Sequence, residues 1–379
     1  MRMQLQKSAS FVREGAHAAS TVFGEWFPTP VLLSPRAAGV DISDASIKWL
    51  ALIADSDRYR IEAYGEEPLA PGIVANGTIM NEEALTHSLA AVHHKLGGIR
   101  YAHAALPEEA AYVFNMHVPE GTSHEQALRM IEFEFEGRVP IAPSAAVYDF
   151  DVIQRHGGPG EEIGVSVFPR ELSKSYQSAF EAAGVTLLSL EVEARSIARA
   201  VSDSSSNEPI TLLVDFGRAR TGFAVLKRGI PIFTSTVEVG GDAITKALVE
   251  KLSLSEADAE AFKNEKGLLL DAKEKSAAYE TVVATASALA DEVARHFHYW
   301  DTRRNEHGER VTPVGRVLLV GGSANLRGLA DYIASRVQAP TEVGDVWRHV
   351  CDFEKYIPPI DWHHSLQYAT AIGLALRSL

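Results

Sequence analysis

Cys351 is the single cysteine in 379 residues. No intramolecular disulfide can form, and no zinc site can be built from thiolates. Such sparse cysteine use suits a reducing compartment. Long apolar runs are missing as well. Nothing approaches the ~18 consecutive apolar residues of a membrane-spanning helix, so no transmembrane segment is expected. Residues 1–17 carry Arg2, Lys7 and Arg13 but lack the apolar stretch of a secretory signal. Residues 21–33 are apolar but hold Pro28 and Pro30, which rule out a regular amphipathic helix. That segment is expected to pack on the body of the protein in preference to lying on a membrane. Positive charge is scarce: 36 Lys and Arg face 50 Asp and Glu, a net charge of -14. This balance argues against non-specific nucleic-acid binding, which needs a basic footprint.

What remains is ordinary globular composition, with 46% hydrophobic and 23% charged residues. The length fits about two or three domains. Two distant stretches share one pattern. The first is Gly39-Val40-Asp41-Ile42-Ser43-Asp44-Ala45-Ser46-Ile47-Lys48; the second runs Leu212-Leu213-Val214-Asp215-Phe216-Gly217-Arg218-Ala219-Arg220-Thr221-Gly222. Each is an apolar strand ending at an Asp, a tight turn, and a second strand. A turn that presents backbone N–H groups and small hydroxyls can cradle phosphate oxygens. The neighbouring Asp can hold Mg²⁺, usually through waters. Either Asp alone would suit a plain turn. The pair, with a Gly-Gly turn at 321–322, suggests a nucleotide held between two related lobes.

The surrounding elements repeat in order. The first half reads as a strand meander over 38–64, a helix capped by Asn81, and a strand over 100–106 ending at Pro107. A helix–strand–strand–helix block over 119–184, with a turn at 156–160, reads as a small α+β insert. A strand over 185–190 feeds a helix through Ala200. Residues 203–209 are polar and read as a linker. The meander then restarts over 210–237, followed by helices over 240–252, 257–264 and 277–301. A strand over 316–320 precedes a helix predicted over 325–337, which Asn325 is expected to cap. The chain closes on a helix predicted over 365–379. His93-His94, His296-x-His298 and His363-His364 lie in different segments with no carboxylate or thiolate to complete a metal set, and are expected in core or surface roles.

With both hairpins in view, the chain resembles the actin, sugar-kinase and heat-shock-chaperone ATPase superfamily. Within it the similarity is greatest to the type IV pilus assembly PilM family, with FtsA and MreB as relatives. The resemblance spans nearly all of 38–379. It is carried by Ala75-Asn76-Gly77-Thr78-Ile79, by Arg138-Val139-Pro140-Ile141, by Val239-Gly240-Gly241-Asp242-Ala243-Ile244-Thr245, by Ala259-Glu260-Ala261-Phe262-Lys263, and by Val320-Gly321-Gly322-Ser323-Ala324-Asn325-Leu326. It implies an α/β, actin-like ATPase fold of two RNase H-like lobes. The first lobe would comprise 38–118 and 185–204 (subdomain 1A), with a 1C-type insert at 119–184. The second would comprise 205–379, with its subdomain 2B over 243–314, and residues 1–37 would form an N-terminal extension. PilM and FtsA carry a 1C block in this slot, whereas actin, MreB and the chaperones lack it. FtsA usually adds a membrane-targeting helix after the core. Here the sequence stops at Ala371-Ile372-Gly373-Leu374-Ala375-Leu376-Arg377-Ser378-Leu379, which favours PilM.

The resemblance also implies roles. ATP and Mg²⁺ are the expected ligands. Asp41 and Asp215 would be the phosphate-loop aspartates and hold the metal, and Lys48 would contact phosphate. Ser43 stands where most relatives have Gly, so binding is expected to persist while catalysis weakens. Gly217, Thr221, Gly240 and Gly241 would shape the second loop and cleft floor. Glu260 and Lys263, three apart on one helix face, would reach ribose and adenine; a solvated helix pair is the plainer reading. Gly321, Gly322 and Ser323 would line the adenosine side. For hydrolysis the implied residues are Asp215 and Glu193, with Glu191 as second candidate to orient water. The usual Glu-Pro is absent, so at most a slow ATPase is expected. The implied setting is a cytoplasmic scaffold of a type IV pilus or type II secretion-like platform, peripheral to the inner membrane. Its partner would be the N-terminal tail of a PilN-like membrane protein, held in a groove built from 107–117 and the insert strands. Self-association in the manner of an FtsA-like division protein, or a small-molecule kinase activity, are the alternative readings.

Overall fold

Alternating apolar residues and tight turns produce two copies of one sheet. In the computed structural model, residues 35–55, 58–154, 160–203, 208–269, 277–304, 308 and 310–379 are described. The packing of the N-terminal extension, the turn expected at 156–160 and the linker expected at 203–209 fall wholly or largely outside them.

The first meander is β1 (Ala37–Ile42), β2 (Ser46–Asp55) and β3 (Arg58–Pro68), paired antiparallel. A small hairpin follows, β4 (Val74–Ala75) and β5 (Thr78–Ile79). Its turn sets Asn76 and Gly77 at positive φ, the left-handed region that Asn and Gly tolerate best. Helix α1 (Glu82–Lys95) starts where the Asn81 side chain accepts from the Ala84 N–H, with Glu82 and Glu83 favouring its positive end. Strand β6 (Tyr101–Leu106) returns parallel to β1.

The insert begins with β7 (Tyr112–Val118). Helix α2 (His124–Arg138) carries a complete capping box between Ser123 and Gln126. Strands β8 (Ala146–Gln154) and β9 (Glu161–Pro169) complete a three-stranded antiparallel sheet in the order β7-β9-β8. Its own core is Phe114, Met116, Ile131, Phe135, Ile163 and Val165. The insert's sheet therefore includes a strand upstream of the expected start at 119. Helix α3 (Arg170–Ala182), expected inside the block, buries Tyr176, Ala179 and Phe180 in the first lobe's core instead. Its periodic apolar stripe matches the face of the larger sheet.

Strand β10 (Thr186–Val192) and helix α4 (Glu193–Val201) close the first half. The second sheet uses β11 (Ile210–Phe216), β12 (Thr221–Lys227), β13 (Ile230–Val237), β14 (Val314–Val320) and β15 (Thr341–Val343). Helices α5 (Gly241–Leu252), α6 (Glu256–Glu265), α7 (Ala277–Thr302) and α8 (Leu329–Val337) pack around it. The two sheets have matching orders, β3-β2-β1-β6-β10 and β13-β12-β11-β14-β15, with matching antiparallel and parallel steps. The repeated element order read in the sequence is thus a duplicated topology.

Two predicted helices differ. Residues 322–325 form a 3-10 turn, and α8 starts only after Gly328, whose φ of 81° breaks the run. Asn325 is therefore not its cap; its amide donates to the carbonyls of Gly322 (3.2 Å) and His363 (2.6 Å). The final helix is also split, into α9 (Trp362–Ser365), a 3-10 turn over 366–368, and α10 (Ala369–Ala375).

Each face of the first sheet is covered. Ile47, Trp49 and Ala51 point toward α1 and α3, while Leu50 and Leu52 join the large core shared with α4, α10 and the second lobe. The insert touches the second lobe too. Lys227 pairs with Glu162 at 2.5 Å, and Arg195 of α4 donates to both Asp151 (2.9 Å) and the Gly229 carbonyl (3.2 Å).

Candidate nucleotide cleft

Both key aspartates sit at the C-terminal ends of central strands, where ligands gather in open α/β sheets. Asp41 lies directly opposite Lys48 in the β1–β2 register. Asp215 lies opposite Gly222 across its own hairpin and beside Val320 of the parallel strand β14. The chain after Val320 must pass Asp215 closely. At Gly321, φ is 86° and an added Cβ would stand 2.3 Å from Asp215 Oδ1, so only glycine fits.

The second loop is braced by its neighbours. Gly217 accepts from the Gly241 N–H (3.0 Å) and from Ser323 Oγ (3.0 Å), and the Arg218 carbonyl accepts from the Asp242 N–H (2.9 Å). Side chains are excluded there: a Cβ on Gly240 would meet the Arg218 carbonyl at 2.3 Å. Thr221 is fully buried and donates to the Val239 carbonyl at 2.5 Å. Gly217, Thr221, Gly240, Gly241, Gly321 and Ser323 thus form one connected floor, and Gly322 continues it.

Lys263 joins that floor, its Nζ lying 3.7 Å from the Cβ position of Gly241. It is buried, donates to Glu260 Oε1 (2.7 Å) and to Thr245 Oγ1 (3.0 Å), and Thr245 donates in turn to Glu260 (2.7 Å). Burial would raise the Glu260 pKa, but the hydrogen bonds from Lys263 and Thr245 outweigh it and hold the carboxyl below its usual range. A solvated helix pair does not describe this triad.

The carboxylates beside this floor form an acidic cluster. Burial pushes Asp41 up to about 6, with Lys48 opposing. Burial and then the Asp41 charge push Asp215 to about 7. Glu193, at the start of α4, is raised well above the carboxylate range by burial and then by Asp41, Glu108, Asp215 and Asp44. Glu191 is elsewhere: Arg199 holds it bidentately at 2.6 and 2.8 Å, and Arg377 adds a further bond. Of the two glutamates weighed for catalysis, only Glu193 faces the cleft acids.

Glu108 is a member that sequence reasoning missed. Burial, then the charge of Asp215, raises it to about 8, while the Ala194 N–H counteracts. Its Oε2 lies 2.7 Å from where a Cβ on Gly222 would be. The available signal was position: Glu108 follows β6, the parallel neighbour of β1.

Three other side chains of the two hairpins are already engaged. The Ser43 hydroxyl donates to the Ser46 carbonyl (2.9 Å) and accepts from the Ser46 N–H (3.2 Å), closing its own turn. Lys48 donates to Ser46 Oγ (2.9 Å) and pairs with Glu66 (3.2 Å). Arg218 pairs with Asp242 at 3.0 Å.

The donor chemistry suits Mg²⁺, a hard cation that takes oxygen ligands. Among the described residues no three His, Cys, Asp or Glu side chains form a ready metal cage. Mg²⁺ usually keeps several waters and takes one or two carboxylates plus phosphate, which is the set that Asp41 and Asp215 offer.

Comparison with known proteins settles the family. The sequence model of the type IV pilus assembly protein PilM family matches residues 39–379. The chain belongs to that family. Among solved structures, PilM in the PilM-PilN type IV pilus biogenesis complex is 20% identical over 90% of this chain and 98% of that one, with a TM-score of 0.72. The ethanolamine utilization protein EutJ from Carboxydothermus hydrogenoformans is 16% identical, covering 90% and 89%, at 0.52. MreB 5 of Spiroplasma citri bound to AMPPNP is 11% identical, covering 90% and 95%, at 0.53. Identities this low speak for the fold, and the fold is actin-like: two related lobes with an α+β insert in the first. Among the described residues no helix is long and apolar enough to cross a membrane.

Proposed function

We propose that this PilM-family protein is an ATP-binding cytoplasmic scaffold of a type IV pilus or type II secretion-like inner-membrane platform, and that it captures the N-terminal tail of a PilN-like membrane protein. The observation that carries the nucleotide reading is the convergence of two strand–Asp–turn hairpins on one acidic cluster, beside a floor where glycines leave no room for side chains. Bound Mg²⁺ would supply positive charge for phosphate between Asp41 and Asp215. The Ser43 and Gly217 N–H groups close their own turns, on the carbonyls of Ser46 (2.9 Å) and Arg220 (3.0 Å). Lys48 is available to phosphate once it exchanges Glu66 for the more highly charged ligand. Glu260 and Lys263 would hold the ribose, and Gly321, Gly322 and Ser323 would leave room for a purine against backbone. Glu193 would orient water. Burial beside Asp41, Glu108 and Asp215 holds its pKa well above the carboxylate range, which weakens it as a base and supports slow turnover.

The peptide site would use the 107–117 segment. It holds most of β7, an outer strand of the insert sheet that also lies against β13 of the second lobe, and a tail bound there would gain affinity through main-chain bonds. The deciding titration uses a labelled PilN-type N-terminal peptide, with and without Mg·ATP. Micromolar binding that shifts with nucleotide is expected. Binding indifferent to ATP would reject a working cleft, and no binding in either condition would reject the pilus scaffold.

The buried triad gives a separate check. Lys263→Met strips Glu260 and Thr245 of their shared donor, and Mg·ATP affinity should fall about tenfold by calorimetry, the loss expected for a hydrogen bond to a charged group. Unchanged affinity would remove the triad from the nucleotide site.

A further inference from the structure

The second loop carries two arginines, and they behave differently. Arg218 stays within its lobe on Asp242. Arg220 leaves it. Its guanidinium donates to Asp44 in the first hairpin's turn and to Glu109 just after Pro107. All three side chains are about one-quarter to one-third exposed, at 25%, 31% and 25%.

Each anchor holds something further. Asp44 also accepts from the N–H groups of Asn76 (3.1 Å) and Gly77 (3.2 Å), fixing the β4–β5 hairpin. Gly77 in turn abuts Pro107, where a Cβ would come within 2.2 Å, and its carbonyl accepts from Tyr176 (2.9 Å). Glu109 belongs to the short turn Glu108–Ala110, and β7 starts two residues later. One guanidinium therefore ties the second phosphate loop to the first loop and to the root of the insert.

A lone ion pair this exposed would contribute little. Here one planar fork is shared between two carboxylates at the mouth of a phosphate site. A guanidinium matches carboxylate and phosphate with the same bidentate geometry. The two ligands would compete for it.

Resting on the nucleotide reading above, we propose that Arg220 is an exchangeable tie between the lobes: Asp44 and Glu109 hold it in the nucleotide-free protein, and the terminal phosphates of a nucleoside triphosphate draw it away, releasing the Glu108–Ala110 turn at the root of the insert.

The test uses the full chain as wild type, Glu109→Gln, Arg220→Gln and the double variant. Calorimetric titrations with Mg·ATP and Mg·ADP are run at one ionic strength. Glu109→Gln removes one of the arginine's two carboxylates, leaving Asp44, and should tighten Mg·ATP about fivefold, but Mg·ADP less than about twofold, because the missing phosphate is the competitor. Arg220→Gln should weaken Mg·ATP, and adding Glu109→Gln to it should then change nothing. Equal tightening of both nucleotides, or the same gain without Arg220, would reduce the effect to net charge and overturn the proposal. Thermal unfolding of the four proteins without nucleotide reads the tie independently. Non-additive midpoints support it, and additive ones overturn it. A wild type that binds neither nucleotide rejects the nucleotide reading and with it the exchange, and the unfolding cycle then decides whether the tie itself stands.

Discussion

Gly373→Ala should destabilise the folded protein by about 3 kcal/mol, at the upper end for overpacking a core. Helix α10 crosses helix α4 so closely that an added Cβ would stand 1.8 Å from the Ser196 carbonyl oxygen and 2.4 Å from its carbon. These are backbone atoms, so no rotamer change relieves the clash. Helix α4 cannot retreat easily, because Ala194, Ile197 and Ala198 are packed in the core. Arg199 also donates to the Gly373 carbonyl at 2.8 Å, and separation would break that bond. The other side of α10 is equally tight: a Cβ on Gly39 of β1 would lie 2.0 Å from the Ala371 carbonyl. The matched control is Gly137→Ala at the exposed end of α2, where nothing lies within 4 Å. That change should stabilise by up to about 1 kcal/mol through the unfolded chain's lost freedom. Urea midpoints measure both. Equal midpoints for Gly373→Ala and wild type would contradict the close crossing.

Asp215→Asn should move stability and binding in opposite directions. Mg·ATP affinity should fall about 100-fold, since one of the two carboxylates proposed to hold Mg²⁺ loses its charge. Without nucleotide the variant should be about 1 to 2 kcal/mol more stable at pH 8, because a buried charge facing Asp41 and Glu108 is gone. The pH dependence follows the same sign. Asp41, Asp215 and Glu108 have folded-state pKa values of about 6, 7 and 8, all above those of an unfolded chain. The folded protein then binds more protons, and the stability these groups contribute is lost as pH rises through about 6 to 8. The wild-type urea midpoint should drop between pH 5.5 and pH 8.5, less steeply in Asp215→Asn. A wild-type midpoint that climbs over that interval would contradict the acidic cluster.

Much of this site was legible because it is local. Strand, Asp, turn and strand lie within ten or eleven residues at 39–48 and 212–222, and the pairing opposite Asp41 and Asp215 follows from the hairpins themselves. The parts that escaped are made by distant neighbours. Glu108 lay within the 107–117 segment assigned to the peptide groove, and its approach to Gly222 of the other lobe and to the Ala194 N–H exists only in the folded protein. The tie of Arg220 to Asp44 and Glu109 joins residues with no shared sequence pattern. Strand β7 carries no turn to its partner β9, since α2 and β8 intervene, so its membership of the insert sheet was hidden. Asn325 resembled a cap because the positive φ at Gly328 cannot be read from composition.

The return of α10 to β1 also governs the order in which the molecule can be assembled. A nascent chain can pair β1, β2, β3 and β6 early, but β10 arrives only after the insert, and the face of β1 at Gly39 stays bare until residues 369–375 are made. The closing contacts join opposite ends of the fold, so contact order is high and folding is correspondingly slow. The duplicated plan does not yield two autonomous folding units: a fragment carrying only the first sheet would lack the helix that seals it.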